Sequence, residues 1–380
     1  MTALFGQTTS RATAPYRYDV VGSFLRPAAL KEAREQFAAG AITREALTQV
    51  EDNEIRKLVE KQKELGLKAV TDGEFRRSYW HLDFFWGFDG VEHVMMDQGY
   101  LFHGVETRAD SARLSGKIRF TGHPFLEHYR FLKKEAGDDA AARQTIPAPA
   151  QFFAELVRGV NENSVKAIYP DREELYQDIA AAYRQAILAF YDLGCRSIQL
   201  DDCTWGMLCD EGFWSTMAGQ GYDIQQLQEL YLRLNNEAIA GLPGDLTVTT
   251  HVCRGNYHST WAASGGYDKV APALFGGENV SAYYLEYDTD RSGDFQPLTQ
   301  VPDNKLVVLG LVSSKTGELE DKEQIKARIR EAARYVPADH LCLSPQCGFA
   351  STEEGNILTE EEQWNKLKLI KEIADEVWGE

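Results

Sequence analysis

The chain has 380 residues, of which 43% are hydrophobic and 26% charged, and its formal net charge is −18 at pH 7. This length suits one large barrel or two ordinary domains, and the apolar fraction is enough for a substantial core. The negative charge argues against nucleic acid as a general partner, because the phosphate backbone would be repelled. No apolar run approaches the length of a membrane span, so we expect no membrane partner.

The cysteine content predicts reduced thiols. Six cysteines in a chain of this length are too sparse for a disulfide scaffold. The first residues, Met-Thr-Ala-Leu-Phe-Gly-Gln, do not combine a basic segment with an apolar one, so we expect no secretory signal. The sequence therefore predicts a cytoplasmic protein.

Short β-rich segments alternate with amphipathic ones along the chain. The β-rich segments are residues 20–23, 69–74, 145–150, 197–202, 247–253, 282–287, 306–312 and 341–347. The helical segments are residues 172–193, 224–239, 321–335 and 360–377. In the first of these, Leu175, Ile179 and Ala182 have the spacing of a helix face. This alternation predicts an α/β fold, a (β/α)8 TIM barrel; an open doubly wound sheet is the alternative.

Residues 79–143 do not follow this alternation. The segment is aromatic and loop-like, with one further candidate strand at residues 117–121. We interpret it as an insertion after strand 2 that covers the barrel mouth, so that residues 1–380 form a single catalytic domain. Its aromatic residues either line a substrate pocket or pack the insertion against the barrel, and packing is the more common role. They are Trp80, Phe84, Phe85, Trp86 and Phe88.

Four potential metal ligands lie at or just past the ends of β-rich segments. They are His251, Cys253, Glu286 and Cys347. Because the carboxyl ends of barrel strands meet at one mouth, we expect these side chains to converge. Two thiolates, an imidazole and a carboxylate suit a tetrahedral zinc ion. A purely structural zinc site is less favoured, because such sites usually take close-spaced ligand pairs from one loop.

Other strand ends carry polar groups that suit an amino acid. The first β-rich segment ends in Ser23, the second in Glu74, and the fourth contains Asp201. A serine hydroxyl can hold a carboxylate, and the two acidic side chains can hold an ammonium group. Beside a thiolate metal site, this set predicts a pocket for homocysteine or cysteine. We interpret the other four cysteines, Cys195, Cys203, Cys209 and Cys342, as packing thiols. Cys203 is the one to watch, because it follows Asp201-Asp202 at a strand end.

The strand-end motifs resemble those of the catalytic half of cobalamin-independent methionine synthase, in the same order. They are Val-Gly-Ser, Asp-Gly-Glu-Phe-Arg, Ile-Gln-Leu-Asp-Asp, Thr-His-Val-Cys, Leu-Glu-Tyr and Ser-Pro-Gln-Cys-Gly, between about Tyr18 and Ala350. The resemblance implies that the four potential ligands bind zinc. It also implies that Ser23, Glu74 and Asp201 bind homocysteine, and that the enzyme transfers a methyl group to this thiol to give methionine.

The resemblance is weaker on the side of the methyl donor. That family's additional N-terminal barrel, which helps to hold polyglutamylated folate, has no counterpart in these residues. The family's proton-handling histidine, in a His-Ser-Pro motif, corresponds to Ser313 in Val-Ser-Ser-Lys, which makes Ser313 the candidate catalytic residue. Residues 149–153 replace the tryptophan-bearing segment that helps to seat the pterin. The donor is therefore methyltetrahydrofolate or another methyl donor.

Several other functions fit part of this pattern. A zinc-dependent alkyltransferase could act on another thiol, with an epoxide or a corrinoid protein as the second partner. A zinc-stabilised binding protein without turnover and a metal-free decarboxylase of the porphyrinogen type are further alternatives. Glu74 and Asp201 favour an amino-acid thiol, because a sulfonate thiol would require basic residues there. We expect small-molecule substrates as partners, and the oligomeric state, a homodimer included, stays open.

Overall fold

A computed structural model describes residues 4–6 and 8–379. Its strands are β1 (Ala69–Val70), β2 (Asp89–Met95), β3 (Leu101–Phe102), β4 (Val105–Glu106), β5 (Asp110–Arg119), β6 (Ala141–Ala142), β7 (Gln144–Pro147), β8 (Ser197–Asp201), β9 (Thr247–Val252), β10 (Ala282–Glu286), β11 (Leu306–Val312) and β12 (Leu341–Pro345). Its helices are α1 (Ala28–Ala38), α2 (Arg44–Glu64), α3 (Leu82–Phe85), α4 (Phe125–Ala136), α5 (Pro149–Leu156), α6 (Glu162–Ile168), α7 (Arg172–Asp192), α8 (Cys203–Leu208), α9 (Glu211–Gly219), α10 (Ile224–Ile239), α11 (Ala271–Gly277), α12 (Lys322–Ala332) and α13 (Glu360–Trp378). No helix among the described residues is long and apolar enough to cross a membrane.

Parallel strands form the centre of the molecule. Six of them are hydrogen-bonded in the order β12-β11-β10-β9-β8-β7, and β1 pairs in parallel with β6, directly before β7. Each neighbouring pair in the larger sheet is joined by a crossover that contains at least one helix or helical turn. Such crossovers cover both faces of a parallel sheet or the outside of a barrel.

The chain before α1 closes this sheet into a barrel. Tyr18 forms a parallel bridge with Leu343 of β12, and the amide of Asp19 donates to the Leu343 carbonyl at 3.0 Å. On the other side of this first segment, the amide of Phe24 donates to the carbonyl of Gly73, just past β1, at 3.1 Å. The first segment therefore lies between β12 and β1. The predicted (β/α)8 barrel with an insertion after its second strand is confirmed.

A buried polar network fills part of the barrel interior. The guanidinium of Arg143 contacts both carboxylate oxygens of Asp19, at 2.6 and 2.7 Å, and both side chains are about 1% exposed. The hydroxyl of Tyr284, on β10, donates to the same carboxylate at 2.9 Å. The network connects the first segment with the β6–β7 junction and with β10, on opposite sides of the barrel. Removing either Arg143 or Asp19 would leave an uncompensated buried charge.

The predicted helices form where the sequence pattern places them. Helix α7 begins after Asp171, whose side chain accepts from the amide of Glu173, and it buries Leu175, Ile179 and Ala182. Helix α13 begins with a capping box, in which Thr359 and Glu362 bind each other's backbone amides. Helices α10 and α12 also agree with the predicted segments within the usual uncertainty of helix ends.

The strand ends differ from the predictions. Residues 20–23 are not in a ladder, since the one bridge of this segment is at Tyr18. The second segment ends at Val70, because Gly73 and Glu74 have φ angles of 68° and 61°, which an extended strand does not allow. The third ends at Pro147, because α5 begins with a proline, whose fixed φ suits the first turn of a helix.

The insertion contains more regular structure than its sequence indicated. Strands β2 and β5 form an antiparallel pair, β3 and β4 form a short hairpin, and helix α4 follows. The candidate strand at 117–121 is the end of the longer strand β5. Phe85 stacks on Phe152 of α5, at a centroid distance of 4.6 Å, and Phe84 and Phe88 contact Tyr183 of α7. These aromatic residues therefore pack the insertion against the barrel.

Candidate metal and substrate site

A cavity of about 540 Å³ lies at the carboxyl ends of the barrel strands. One part of its wall comes from strand ends and the loops after them, and carries Ser23, Glu74, Asp201, His251, Cys253 and Cys347. The remaining wall comes from the insertion, α5, α9 and α10, and is mainly apolar. The cavity therefore has a polar, thiol-bearing end and an apolar end.

Three of the four predicted metal ligands are close together. One ligand atom each of His251, Cys253 and Cys347 lies within 4.8 Å of the other two, and all three side chains are buried. Tetrahedral zinc with bonds of about 2.3 Å to sulfur places its ligand atoms roughly 3.8 Å apart. An imidazole and two thiols at this separation fit zinc in donor type and spacing.

Asp201 orients the imidazole of this cluster. The Nδ1 atom of His251 lies 3.1 Å from Oδ1 of Asp201, while Nε2 lies 3.4 Å from the Gln346 carbonyl. Burial lowers the pKa of His251, but the contacts with Asp201 and the nearby Cys253 thiolate outweigh it and raise the value to about 9. A carboxylate on one ring nitrogen fixes the orientation of the ring and makes the other nitrogen a better ligand.

A third cysteine lies beside this cluster. The Sγ atom of Cys203, at the start of α8, lies 3.4 Å from Sγ of Cys253. Hydrogen bonds from Cys203 and Cys347 hold the pKa of the Cys253 thiol well below its ordinary value. The pKa values of these two partners are raised, because each faces the Cys253 thiolate. The buried ammonium of Lys315 acts on Cys347 in the opposite direction.

Glu286, the fourth predicted ligand, lies outside this cluster. Its carboxylate is fully buried and forms an ion pair with Arg291, and its Oε2 atom accepts from the amide of Arg254 at 2.9 Å. It is not one of the residues that line the cavity. Its role as a metal ligand stays a prediction.

The predicted substrate-binding residues all line the cavity. Oε1 of Glu74 accepts from the Thr145 hydroxyl at 2.9 Å and lies 3.2 Å from Arg77, whereas Oε2 has no hydrogen-bond partner among the described residues. Burial, together with the charge of Asp201, raises the pKa of Glu74 to about 7 despite the nearby Arg77. An amino-acid ammonium group would supply the missing partner of Oε2.

Ser23 is held by a close approach of the last strand-end loop. Its Oγ accepts from the amide of Ala350 at 3.3 Å, and a Cβ atom on Gly348 would lie 1.9 Å from the same oxygen. Position 348 therefore tolerates only glycine while Ser23 keeps its place. None of the hydrogen bonds that we find among the described residues uses the hydroxyl proton of Ser23, which is thus available to a ligand.

Ser313, the candidate catalytic residue, does not line the cavity. It is half-buried just past β11, its amide donates to Glu320 at 2.8 Å, and its hydroxyl accepts from the amide of Lys315. The structure thus places Ser313 beside the site but not in its wall. A catalytic role for Ser313 stays a prediction.

Apart from Trp80, which the sequence offered as a possible pocket residue, the residues of the apolar end were not predicted. Helix α9 presents Phe213 and Met217, four residues apart and therefore on one face, and Trp80 and Tyr100 of the insertion lie on the same cavity wall. The hydroxyl of Tyr100 donates to Glu155 at 2.7 Å and lies 3.0 Å from Nε2 of His81. The i, i+4 spacing of α9 is visible in the sequence, but nothing there indicates which wall it faces.

The sequence profile of the family described as "Cobalamin-independent synthase, Catalytic domain" matches residues 18–94 and 163–376. The chain belongs to this family. The unmatched stretch between these ranges holds most of the insertion together with β6, β7 and α5. The catalytic scaffold is therefore that of a methionine-synthase-like methyltransferase.

Similar proteins cover nearly the whole chain. "Uncharacterized protein YxjH" of Bacillus subtilis is 51% identical over 379 residues, which is 99% of each chain. "Methionine synthase" of Saccharolobus solfataricus is 22% identical and covers 87% of each chain. The crystal structure of a "Putative Vitamin-B12 Independent Methionine Synthase" from Listeria monocytogenes is 41% identical, with a TM-score of 0.76 over 97% of this chain and 100% of that one.

Proposed function

We propose that the protein is a zinc-dependent homocysteine methyltransferase that forms methionine. One observation carries this proposal: the cluster of His251, Cys253 and Cys347 lies in the same cavity as the amino-acid-binding set of Ser23, Glu74 and Asp201. A thiol ligand with an amino-acid end matches both groups at once.

The metal end of the cavity would prepare the substrate sulfur. His251, Cys253 and Cys347 would hold zinc, which when bound favours the thiolate of an added thiol over its neutral form. Two cysteine thiolates among the ligands keep the centre rich in electrons, which suits attack by sulfur better than activation of water. Asp201 holds the imidazole of His251 in place through its contact with Nδ1.

The neighbouring residues would fix the amino-acid end of the substrate. The Ser23 hydroxyl donates to its carboxylate, and the free oxygen of Glu74 accepts from its ammonium group, with Asp201 adding negative charge. Held at both ends, the substrate sulfur points along the cavity towards the apolar end. There Phe213, Met217 and Trp80 would exclude water from the reacting methyl group.

The function is tested by product formation. Zinc-loaded protein is incubated with homocysteine and a panel of methyl donors, and methionine is measured by mass spectrometry. We expect methionine with at least one donor, and about one zinc per chain by elemental analysis. The variant Cys347→Ser should lose most of its zinc and its activity.

The matched control is Cys195→Ser. Cys195 lies before β8, and its thiol donates to the Ser197 carbonyl at 3.3 Å, so its loss should change neither the zinc content nor the product. Wild-type zinc content in Cys347→Ser would remove Cys347 from the ligand set. Absence of methionine with every donor would contradict the proposed reaction.

A further inference from the structure

We propose that the apolar end of the cavity recognises an uncharged amide group on the methyl donor. The two groups that bind it are Nδ1 of His81, as hydrogen-bond acceptor, and Nη2 of Arg158, as donor. This inference rests on the proposed function in one respect, because it takes the ligand of this end to be the methyl donor.

Tyr100 connects the polar side chains at this end. Its hydroxyl donates to Oε2 of Glu155 at 2.7 Å and lies 3.0 Å from Nε2 of His81. The guanidinium carbon of Arg158 lies 4.1 Å from the centre of the Tyr100 ring. All four residues line the cavity. They therefore form one polar group within a mainly apolar wall.

Glu155 determines which nitrogen of His81 carries the proton. The Tyr100 hydroxyl has a single proton, which it donates to Glu155, so its oxygen can only accept from Nε2 of His81. Nε2 is therefore the protonated nitrogen of the neutral ring, and Nδ1 is an acceptor. Burial, reinforced by the charge of Arg158, lowers the pKa of His81 to about 3, so the ring stays uncharged at neutral pH.

The structure leaves this acceptor unused. His81 is 4% exposed, and its Nδ1 atom is buried without a hydrogen-bond partner among the described residues. Trp80 stacks on the ring, with the two centroids 4.5 Å apart, and holds its orientation. A buried acceptor without a partner costs free energy, so a ligand that brings an N–H group to it is favoured.

Arg158 offers a donor whose charge is already balanced. Its Nε atom lies 3.2 Å from Oε2 of Glu155, whereas Nη2 is buried and has no hydrogen-bond partner in the part of the chain that the structure describes. Glu155 is 1% exposed and also accepts from the Ser111 hydroxyl, which holds it in place. Because this ion pair leaves little net charge, Nη2 suits a carbonyl oxygen better than a carboxylate.

An uncharged amide group satisfies both residues. Its N–H would donate to Nδ1 of His81, and its carbonyl oxygen would accept from Nη2 of Arg158. An ester or a carboxylate has no N–H and would leave Nδ1 unpaired. Phe213 and Met217, on the same cavity, provide apolar surface for the rest of the ligand. The donor would thus be selected by a part of the molecule that does not react.

A matched pair of small aromatic molecules tests this site. Benzamide has an amide group, whereas methyl benzoate has the same ring and a carbonyl without an N–H. The affinity of each is measured by ligand-observed NMR titration. We expect benzamide to bind the wild type at least about fivefold more tightly, because the ester leaves a buried acceptor unpaired. Equal affinities, or no detectable binding of benzamide, would overturn the proposal.

The variant His81→Phe removes the acceptor and keeps an aromatic ring against Trp80. The preference for benzamide should fall to less than about twofold in this variant. The matched control is His103→Phe. His103 belongs to the same insertion, stacks on Trp261 at 5.0 Å and does not line the cavity, so the preference should be retained. A preference that is unchanged in His81→Phe would show that another residue binds the amide.

Nitrogen NMR of the wild type with labelled histidine gives a second readout. Nδ1 of His81 should be unprotonated between about pH 5.5 and 8, and its resonance should shift with benzamide but not with methyl benzoate. A protonated Nδ1, or the same shift with both molecules, would contradict the proposal. Failure of the proposed function looks different: no donor would yield methionine, whereas the preference for benzamide is measured without zinc and without turnover.

Discussion

Glu74 combines three properties that rarely occur together in one side chain. It is 3% exposed, its backbone has a φ of 61°, and one of its carboxylate oxygens has no hydrogen-bond partner among the described residues. A backbone conformation that costs free energy persists only where the surrounding structure imposes it, and such residues cluster at ligand sites. Here the strained turn after β1 directs a carboxylate into the cavity.

The raised pKa of Glu74 predicts how amino-acid binding depends on pH. Methionine is a suitable probe because it has the amino-acid end without the thiol. The Glu74 carboxyl, whose pKa is about 7, is mostly protonated at pH 5.5 and mostly ionised at pH 8. Only the ionised form pairs with an ammonium group, so affinity should rise with pH through 7, by up to about tenfold per unit below it. Calorimetric titrations at several pH values measure this slope.

The control for this prediction is Glu74→Gln, which has the same shape but cannot ionise. We expect weaker binding in this variant, by about tenfold or more, because a desolvated ammonium group loses its charged partner. The rise of affinity through pH 7 should disappear as well. The same slope in wild type and variant would show that another group governs the pH dependence.

Residue positions at strand ends could be predicted from the sequence, whereas the contacts of each side chain could not. Ser23, Glu74 and Asp201 line the cavity because the carboxyl ends of all strands in a parallel barrel lie at the same mouth. Glu286 follows the same rule, yet its carboxylate binds Arg291, which lies in the next loop. A carboxylate can bind either a metal cation or an arginine, and which of the two it binds depends on distances that the sequence does not contain.

At the scale of elements, Asn235 joins four segments around the start of α8. From α10, its amide nitrogen donates to Asp202 at 2.8 Å and to Glu278 at 2.9 Å, while its oxygen accepts from the amide of Ala150 at 3.0 Å. Asp202 is the cap of α8 and precedes Cys203. This one side chain therefore fixes the helix that carries Cys203.

Replacing this residue, as in Asn235→Ala, should destabilise the fold. The change would remove the partner of one oxygen in each of two buried carboxyl groups, those of Asp202 and Glu278, and of the backbone amide of Ala150. Each unsatisfied buried group costs roughly 1–3 kcal/mol, so we expect a loss of about 2–4 kcal/mol after partial relaxation. Urea unfolding followed by circular dichroism measures it. The control is Gln225→Ala, at an exposed position of the same helix, whose free energy of unfolding should stay within about 0.5 kcal/mol of the wild type. Similar losses of stability in both variants would refute this role of Asn235.

Elements with a strong hydrophobic period were the most predictable. Helices α7, α10, α12 and α13 follow their amphipathic patterns, because the buried face repeats over several turns. Strand ends were less predictable: the second segment stops at Val70, ahead of the positive φ of Gly73, and the third stops at Pro147, because α5 begins at Pro149. Helix α4 was missed because it lies in the insertion, which departs from the β/α alternation and was interpreted as loop-like.

The cavity as a whole offers little to a long anionic donor. Among its described lining residues the only lysine or arginine is Arg158, which already pairs with Glu155 at 3.2 Å and lies over the ring of Tyr100 at 4.1 Å. The net charge of −18 also disfavours an approaching polyanion. The described wall of the cavity therefore lacks the free cationic side chains that a chain of glutamates would need.

We expect methyltetrahydrofolate, with either one or three glutamates, to be a poor methyl donor for this protein. Its tertiary amine must be protonated to leave, and Ser313, at the position of the family's proton-handling histidine, neither titrates near neutral pH nor lines the cavity. General acid catalysis contributes roughly 10²–10⁴-fold, so an already activated donor such as methylcobalamin should react at least tenfold faster. Steady-state rates of methionine formation at equal donor concentrations decide this. Faster turnover with either folate would show that another group supplies the proton.

The fold and the family could be read from the order of the strand-end motifs, whereas the donor side could not. The motifs that identify the family lie at strand ends, where the backbone geometry and the chemistry of ligand binding restrict which residue types can occur. The apolar wall is built from α9 and the insertion, whose residues only need to be apolar and of suitable size. Such a requirement produces no motif, so the sequence does not show which residues form the apolar wall.

The glycines beneath the thiol end have a consequence for the evolution of substrate choice. Gly206 and Gly348 each leave less than 2 Å for a Cβ atom, against Cys253 and Ser23 respectively. A larger residue at either position would have to shift Cys253 or Ser23, so we expect substitutions there to disturb the thiol end of the cavity. Phe213 and Met217 belong to a helix with no fully buried residue, so they can vary at little cost to folding. Under the proposed function, we therefore expect related proteins to differ more on the side of the methyl donor than on the side of the thiol.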